Sequence, residues 1–137
     1  MTRINVVEAS ELENMHLMAE YRELPRVFKL ATQFKSSNKK EDFPLEYTLG
    51  KGHVKFFYNK LLWLFNRQKS LIDELIKRGY QINFTAPEEL IENVPKEYLN
   101  DYAVTDSALK INRERISDRI KSHAEKIASK KGVANVP

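Results

Sequence analysis

The first candidate for chemistry is the amine at the chain start. Thr2 is small enough that Met1 would normally be removed, which exposes the α-amine of Thr2 next to Arg3. An α-amine has a pKa of about 7.7–8.0 against about 10.4 for Lys, so its neutral fraction at pH 7 is larger by roughly a few hundred-fold. Such an amine could attack a sugar carbon and form an iminium. If Met1 persists, this nucleophile is blocked.

The second candidate is one carboxylate flanked by two guanidinium groups. On a helical wheel with His16 at zero, Glu23, Arg22 and Arg26 lie between roughly 240° and 340°. Ala19 falls in the middle of this polar arc and leaves space above it. Because two Arg beside one Glu leave a cationic excess, a phosphate could dock there. Two surface ion pairs, each contributing ~0.3–0.5 kcal/mol, explain the same pattern, and both readings stay open.

Other catalytic classes find little support. The chain has no Cys, which excludes a disulfide framework, a thiolate metal site and a Cys nucleophile. His16, His53 and His123 have no partner at helical spacing, so we expect no metal site. An amine and a carboxylate that carry the chemistry themselves would need no organic cofactor either. The glycines at positions 50 and 52 lack the rest of a phosphate-binding loop. We interpret His53 as a cap at the start of a helix.

Charge is unevenly distributed along the chain. Residues 29–81 hold eleven Lys or Arg against five Asp or Glu, and residues 110–131 hold eight against three. Between these basic stretches, residues 82–109 carry six acids and one base. The pattern is typical of a polyanion-facing surface with an acidic back, although ordinary solvated helix faces remain an alternative.

The N-terminal third predicts a bent helix. Ser10 and Glu13 have the spacing of a capping box, which predicts a helix start near Glu11. Pro25 removes one backbone donor and should kink this helix without ending it, because residues 26–34 keep a helical pattern. Residues 36–52 are polar and contain Pro44 and two glycines, which indicates a loop.

Two further helices are predicted. Apolar residues recur at helical spacing over residues 54–78, and Gly79 then gives a typical C-terminal signal. Residues 80–104 should hold at most one short helix, near 88–92. The last helix should span about 106–130 and be followed by a frayed tail at 132–137. No segment has convincing strand alternation, so the sequence predicts one compact all-α domain of about three main helices with long irregular connections.

Composition and length restrict the class further. A chain of 137 residues with 42% hydrophobic and 31% charged residues suits one globular domain with a real core. The longest comparable apolar run is five residues, too short to span a membrane. Residues 1–10 lack the pattern of a secretory signal. We therefore expect an intracellular protein, cytoplasmic or nucleoid-associated, without a membrane partner.

Three blocks of residues carry a family resemblance. Thr2 to Asn5, Ser10 to Leu12 and His16 to Phe28 closely resemble the pyrimidine-dimer DNA glycosylases, the phage-type endonuclease V family. The second block is Leu49-Gly50, Gly52-His53-Val54, Phe56-Phe57-Tyr58, Lys60-Leu61, Arg67-Gln68 and Lys77-Arg78-Gly79. The third is Val94-Pro95, Asp101-Tyr102, Arg115 and Ile120.

The resemblance implies a DNA-repair mechanism and a set of site residues. Thr2 would attack C1′ of the 5′ nucleotide of a UV-induced cyclobutane dimer, expel the base and form a Schiff base. Glu23 would stabilise the developing positive charge and assist the β-elimination that cuts the strand. Arg22 and Arg26 would grip phosphates beside the lesion. The full set of expected DNA-binding residues is Arg3, His16, Arg22, Arg26, Arg115 and Arg119.

The same resemblance implies duplex DNA with photoproducts or abasic sites as the partner of a monomer, which could be virus- or phage-encoded. Family members bend the duplex and turn out the base opposite the lesion. The phage member ends in an aromatic and basic tail, whereas no aromatic residue follows Tyr102 here, and Met15 replaces its Gln. The accepted lesion therefore stays open. The alternative is a catalytically silent helical DNA-binding domain, or the same chemistry on another lesion.

Overall fold

In the part that the computed structural model describes, the chain forms helices joined by turns and irregular segments. This part comprises residues 2–34 and 43–135, with the side chains described as far as residue 128. No strand occurs in these ranges, which confirms the predicted all-α class. The helices are α1 (Asn14–Glu23), α2 (Pro25–Gln33), α3 (His53–Phe56), α4 (Leu61–Lys77) and α5 (Asp106–Asn135).

The predicted capping box at the start of the first helix is wrong. A 3-10 turn at Ala9–Glu11 precedes α1, and no side chain caps α1 at Glu13. Leu12 separates the turn from the helix, because it is buried and its backbone is extended with φ −78° and ψ 141°. The carboxylate of Glu11 instead pairs with Arg113 at 2.7 Å. Anchoring Leu12 in the core thus takes priority over a longer helix.

Pro25 begins a new helix, whereas the sequence predicted a kinked but continuous one. Leu24 keeps helical dihedral angles of φ −54° and ψ −41°, and its N–H donates to the Glu20 carbonyl at 2.8 Å. The proline has no N–H to continue the ladder, and the next bond runs from Val27 N–H to the Leu24 carbonyl at 3.0 Å. The segment therefore divides into α1 and α2 at Leu24.

The single helix predicted over residues 54–78 is two helices, α3 and α4. Phe56, Phe57 and Tyr58 are all buried, and three consecutive residues cover too wide an arc for one helix face. The chain therefore turns over residues 57–60, where the ammonium of Lys60 donates to the carbonyl of Phe56 at 2.9 Å. The predicted end at Gly79 is confirmed, since this residue has φ 90°.

The C-terminal half differs from expectation in two places. Residues 80–104 contain two 3-10 turns, Pro87–Ile91 and Lys96–Tyr98, where one short helix was predicted. Helix α5 extends to Asn135, so the tail predicted at residues 132–137 is wrong for 132–135, and residues 136–137 lie outside the described part. Residues 121–128 are all exposed, so this end of α5 projects from the domain.

The core lies where α1 packs against α4 and where the N-terminal segment crosses them. Ile4, Leu17 and Leu64 are completely buried there. An aromatic cluster around Phe56 and Phe57 extends this core beneath α3. In the described ranges, no helix combines the length and the apolar character that crossing a membrane requires.

Candidate active site

The N-terminal segment, residues 2–8, is held by side chains because it has no strand partner among the described residues. The N–H groups of Val6 and Val7 donate to Oδ1 of Asn112, at 2.6 and 3.1 Å. Nη1 of Arg67 donates to the carbonyl of Val7. Buried backbone polar groups must find partners, and here α4 and α5 supply them. The segment is therefore fixed relative to both helices.

A buried ion pair fixes the same segment to α1. Nε of Arg67 donates to Oε2 of Glu20 at 2.7 Å, and Nη2 donates to Oε1 at 3.0 Å. The amide of Asn5 donates to the same Oε1 at 2.8 Å. Glu20 is 1% and Arg67 5% exposed, so both charges depend on these partners. Glu20 is thus a structural carboxylate.

Arg115 joins this network from α5. Oδ1 of Asn5 accepts hydrogen bonds from Nη2 of Arg115 at 2.7 Å and from Nδ2 of Asn112 at 2.8 Å. Arg115 is half-buried, and the hydrogen bond holds its guanidinium against the side chain of Asn5. A preorganised cation loses less conformational freedom when it binds an anion.

A cavity of about 140 Å³ opens between the N-terminal segment, α1 and α5. One face of α1, which includes the small Ala19, forms one wall of the cavity. Arg115 and Arg119 of α5 form the opposite wall. Glu23 therefore faces a cation-rich space. The lining residues are Arg3, Asn5, His16, Ala19, Glu20, Glu23, Arg115, Ile116 and Arg119.

A second, larger cavity of about 660 Å³ adjoins the first. Thr2 lines it, together with residues 49–55 and Tyr58. Arg3, Arg115 and Arg119 line both cavities and form their common rim. Thr2 and Glu23 thus lie on either side of a rim of three arginines.

The structure brings most of the predicted site residues together. Arg22 and Arg26 are exposed and line neither cavity. In the described part of the chain, Glu23 takes part in none of the three ion pairs, so the predicted alternative of two surface ion pairs at Glu23 is not found there. The predicted residues in the first cavity are Arg3, His16, Glu23, Arg115 and Arg119, and Thr2 lies in the second.

His16 sits partly buried in the wall of the first cavity. Within the described residues its Nδ1 is buried and has no hydrogen-bond partner. Burial lowers the pKa of His16, with smaller effects from Glu13, which raises it, and from Arg115 and His123, which lower it. The neutral ring is therefore favoured, with an unoccupied ring nitrogen close to the site.

His53 holds the N-terminal segment and does not cap a helix, which corrects the interpretation from sequence. No side chain caps α3, where His53 is the first residue. Its Nδ1 lies 2.8 Å from the carbonyl of Thr48, and its Nε2 accepts the N–H of Ile4 at 2.8 Å. Nδ1 therefore carries the proton. Burial lowers the pKa of His53 to about 4, against the opposing effect of the Thr48 carbonyl.

The pKa of His53 predicts a loss of stability in mild acid. The unfolded chain binds a proton at His53 near pH 6.5 but the folded chain only near pH 4, so this stabilisation is complete above pH 6.5 and is lost as the pH falls towards 4. The expected loss in the free energy of unfolding is about 3 kcal/mol between pH 7 and pH 4. Urea unfolding at both pH values measures it.

The control for this pH effect is His53→Gln, which has no titrating ring. Since His16 shifts in the same direction, the difference between wild type and variant isolates His53. Equal pH dependence of unfolding in the two proteins would contradict the assignment of a neutral, buried His53.

Sequence reasoning missed the residues that hold the site together. Arg67 and Gln68 lie on the apolar stripe of α4 that includes Leu64 and Leu71, and both are buried. An arginine on an apolar stripe was the signal that could have revealed the buried network, because a buried Arg requires a partner. The residues that were missed are Asn5, Glu20, Tyr47, Arg67 and Asn112.

A family model described as pyrimidine dimer DNA glycosylase matches residues 1–88 of the chain. The matched part contains Thr2, Glu23 and both cavity walls formed by α1 and α3. Arg115 and Arg119 lie outside it, on α5. The matched part therefore includes both candidates for chemistry, and α5 adds the opposing cations.

Proposed function

We propose, from the premise that the chain belongs to the pyrimidine dimer DNA glycosylase family, that it removes the 5′ base of a cyclobutane dimer and then cuts the strand. In this proposal the α-amine of Thr2 is the nucleophile and Glu23 is the catalytic carboxylate. The substrate is duplex DNA that contains a UV photoproduct or an abasic site, bound by a monomer.

The observation that carries the proposal is the position of Glu23 in a cation-lined cavity that adjoins the cavity of Thr2. Glu23 is half-buried and faces Arg115 and Arg119, while Thr2 lines the adjoining cavity across the rim. A phosphate held on the rim would bring its nucleotide next to both cavities, and so near Thr2 and Glu23. Arginines suit this task because their planar donors match phosphate oxygens.

The first step transfers the sugar from the base to the amine. The nitrogen lone pair of Thr2 attacks C1′, and the C1′–N bond breaks with its electron pair going to the base, which gains a proton and stays joined to its 3′ neighbour through the cyclobutane ring. Loss of a proton from the amine, with opening of the C1′–O4′ bond and protonation of O4′, gives an iminium at C1′. An anion beside C1′ stabilises the positive charge that develops, and this is the role we assign to Glu23.

The second step cuts the strand by β-elimination. The iminium acidifies the protons on C2′, and removal of one of them forms a C2′–C3′ double bond while the 3′ phosphate leaves with the electron pair of the C3′–O bond. A carboxylate within reach of C2′ can accept that proton. Water then hydrolyses the imine and releases Thr2 as a free amine.

The remaining arginines fit the role of backbone contacts. Arg22 on α1 and Arg26 on α2 flank Glu23 in the sequence, and both are exposed outside the two cavities. Since each neutralised phosphate releases counterions, such contacts add affinity without sequence preference. Sequence-independent binding suits an enzyme that must find rare lesions, and weak pairing at a dimer lowers the cost of turning out a base.

The test is incision of a duplex that carries one cyclobutane thymine dimer, with EDTA present. We expect cleavage at the dimer, with the fragment expected of β-elimination, because an amine and a carboxylate suffice for every step above. The undamaged duplex of the same sequence is the control and should stay intact. An intact dimer duplex would overturn the proposal, whereas cleavage of an abasic duplex alone would overturn its lesion assignment and leave the lyase step.

A further inference from the structure

Two buried side chains hold the backbone of Ile4 from opposite sides. The N–H of Ile4 donates to Nε2 of His53 at 2.8 Å, and the hydroxyl of Tyr47 donates to the carbonyl of Ile4 at 2.9 Å. Ile4 is 0%, His53 4% and Tyr47 4% exposed. Both backbone polar groups of one residue are therefore satisfied by side chains from a distant part of the chain.

The two side chains also support each other. The rings of Tyr47 and His53 meet edge to face with centroids 5.4 Å apart, and Phe57 packs against both rings. The carbonyl of Thr48 accepts the proton of His53 Nδ1 at 2.8 Å, which leaves Nε2 free to accept from Ile4. Ring position and tautomer are thus both determined, and we call His53 and Tyr47 the Ile4 clamp.

The clamp lies two residues from the proposed nucleophile. Thr2 and His53 line the same cavity, so the clamp is next to the space where the amine would react. Two residues span at most about 7 Å, so anchoring Ile4 confines the amine of Thr2 to a small volume. A nucleophile must approach its target within about 3–3.5 Å, and a misplacement of about 1 Å can cost roughly a hundredfold in rate.

We propose that His53 and Tyr47 are positioning residues for the Thr2 amine, which they hold through the backbone of Ile4. This inference rests on the proposed function, since it assigns the clamp to the amine of that reaction. Neither residue needs to touch the reacting atoms. Their loss should slow the chemical step and leave the affinity for DNA unchanged, because the arginines that face phosphate are not altered.

The test is Tyr47→Phe, which removes one hydroxyl and keeps the ring. We expect the maximal rate of borohydride trapping on a dimer duplex to fall at least about tenfold, because the amine becomes less well placed. The DNA concentration that gives half of this rate should be unchanged. Tyr98→Phe is the matched control, since the hydroxyl of Tyr98 also donates to a backbone carbonyl, that of Phe34, at 3.4 Å. This control should trap at the wild-type rate.

Rescue at His53 separates positioning from general stability. His53→Gln keeps an acceptor for Ile4 and a donor for Thr48, whereas His53→Leu keeps neither. We expect the Gln variant to recover most of the trapping rate that the Leu variant loses. Hydrogen exchange at the Ile4 amide, measured without DNA, should speed up in Tyr47→Phe and His53→Leu and stay unchanged in Tyr98→Phe.

The outcomes separate the two proposals. If wild type traps and Tyr47→Phe traps equally fast, or if the Ile4 amide exchanges at the same rate in both, the clamp proposal is overturned and the proposed function stands. If wild type forms no adduct at Thr2, the proposed function is overturned, and the clamp proposal with it. Slower trapping with an unchanged half-saturating DNA concentration, together with faster exchange of the Ile4 amide, supports both proposals.

Discussion

Glu23→Gln is expected to release the base at least ~100-fold more slowly and to bind damaged DNA as well as wild type or better. Gln is nearly isosteric with Glu, but it cannot supply the anion that stabilises the positive sugar. Binding should persist because the change removes a negative charge from a cavity lined by Arg3, Arg115 and Arg119. Gel shift and single-turnover incision on one dimer duplex measure the two properties.

Glu11→Gln is the matched control for this substitution. It removes the same charge from a carboxylate that forms a surface pair, with Arg113 at 2.7 Å, and solvent screens such an exposed pair strongly. Its incision rate should equal that of wild type. If Glu23→Gln also cuts within about threefold of wild type, Glu23 is not catalytic and the mechanism fails.

The two carboxylates of the first cavity have separate tasks. Glu20 accepts three hydrogen bonds, from Asn5 and Arg67, and is completely enclosed. Removing one partner of such a buried pair costs ~3–5 kcal/mol, so Glu20 belongs to the fold. Glu23 is half-buried and forms none of the ion pairs among the described residues, so its carboxylate is available to interact with a substrate.

Local patterns predicted the class of fold and several helix ends. Apolar periodicity and the signal at Gly79 depend on neighbours within a few residues, and the all-α class and the end of α4 that they predict agree with the structure. The same periodicity placed Arg115 and Arg119 on the last helix, where they line both cavities. The family resemblance, and not helical spacing, assigned these two arginines to the binding of DNA.

The interruptions and the buried network depend on tertiary contacts. The predicted capping box does not form, because Leu12 is buried in an extended conformation. The helix predicted over residues 54–78 is divided, because three consecutive aromatic residues are buried. The network joins residues 5, 20, 67 and 112. These residues are far apart in the sequence, so local patterns do not predict their contacts. His53 was misassigned for the same reason, because its partner Ile4 lies 49 residues away.

One extra residue before Thr2 is expected to abolish trapping of DNA at the N-terminus. The insertion moves the amine by about 3.5 Å, more than a reacting centre tolerates. The segment cannot slide back to compensate, since the hydrogen bonds of Ile4, Val6 and Val7 fix its register. Borohydride reduction on dimer and abasic duplexes, followed by mass analysis of the adduct, measures the result.

Thr2→Ala is the control for the insertion, because it changes the side chain and keeps the α-amine in place. It should form the reduced adduct at a rate close to that of wild type, and the mass of each purified chain should show that Met1 has been removed. The insertion and Thr2→Ala together test the amine apart from the hydroxyl. An insertion variant that still traps, through an internal Lys, would show that the nucleophile lies elsewhere and that the N-terminal segment serves only the fold.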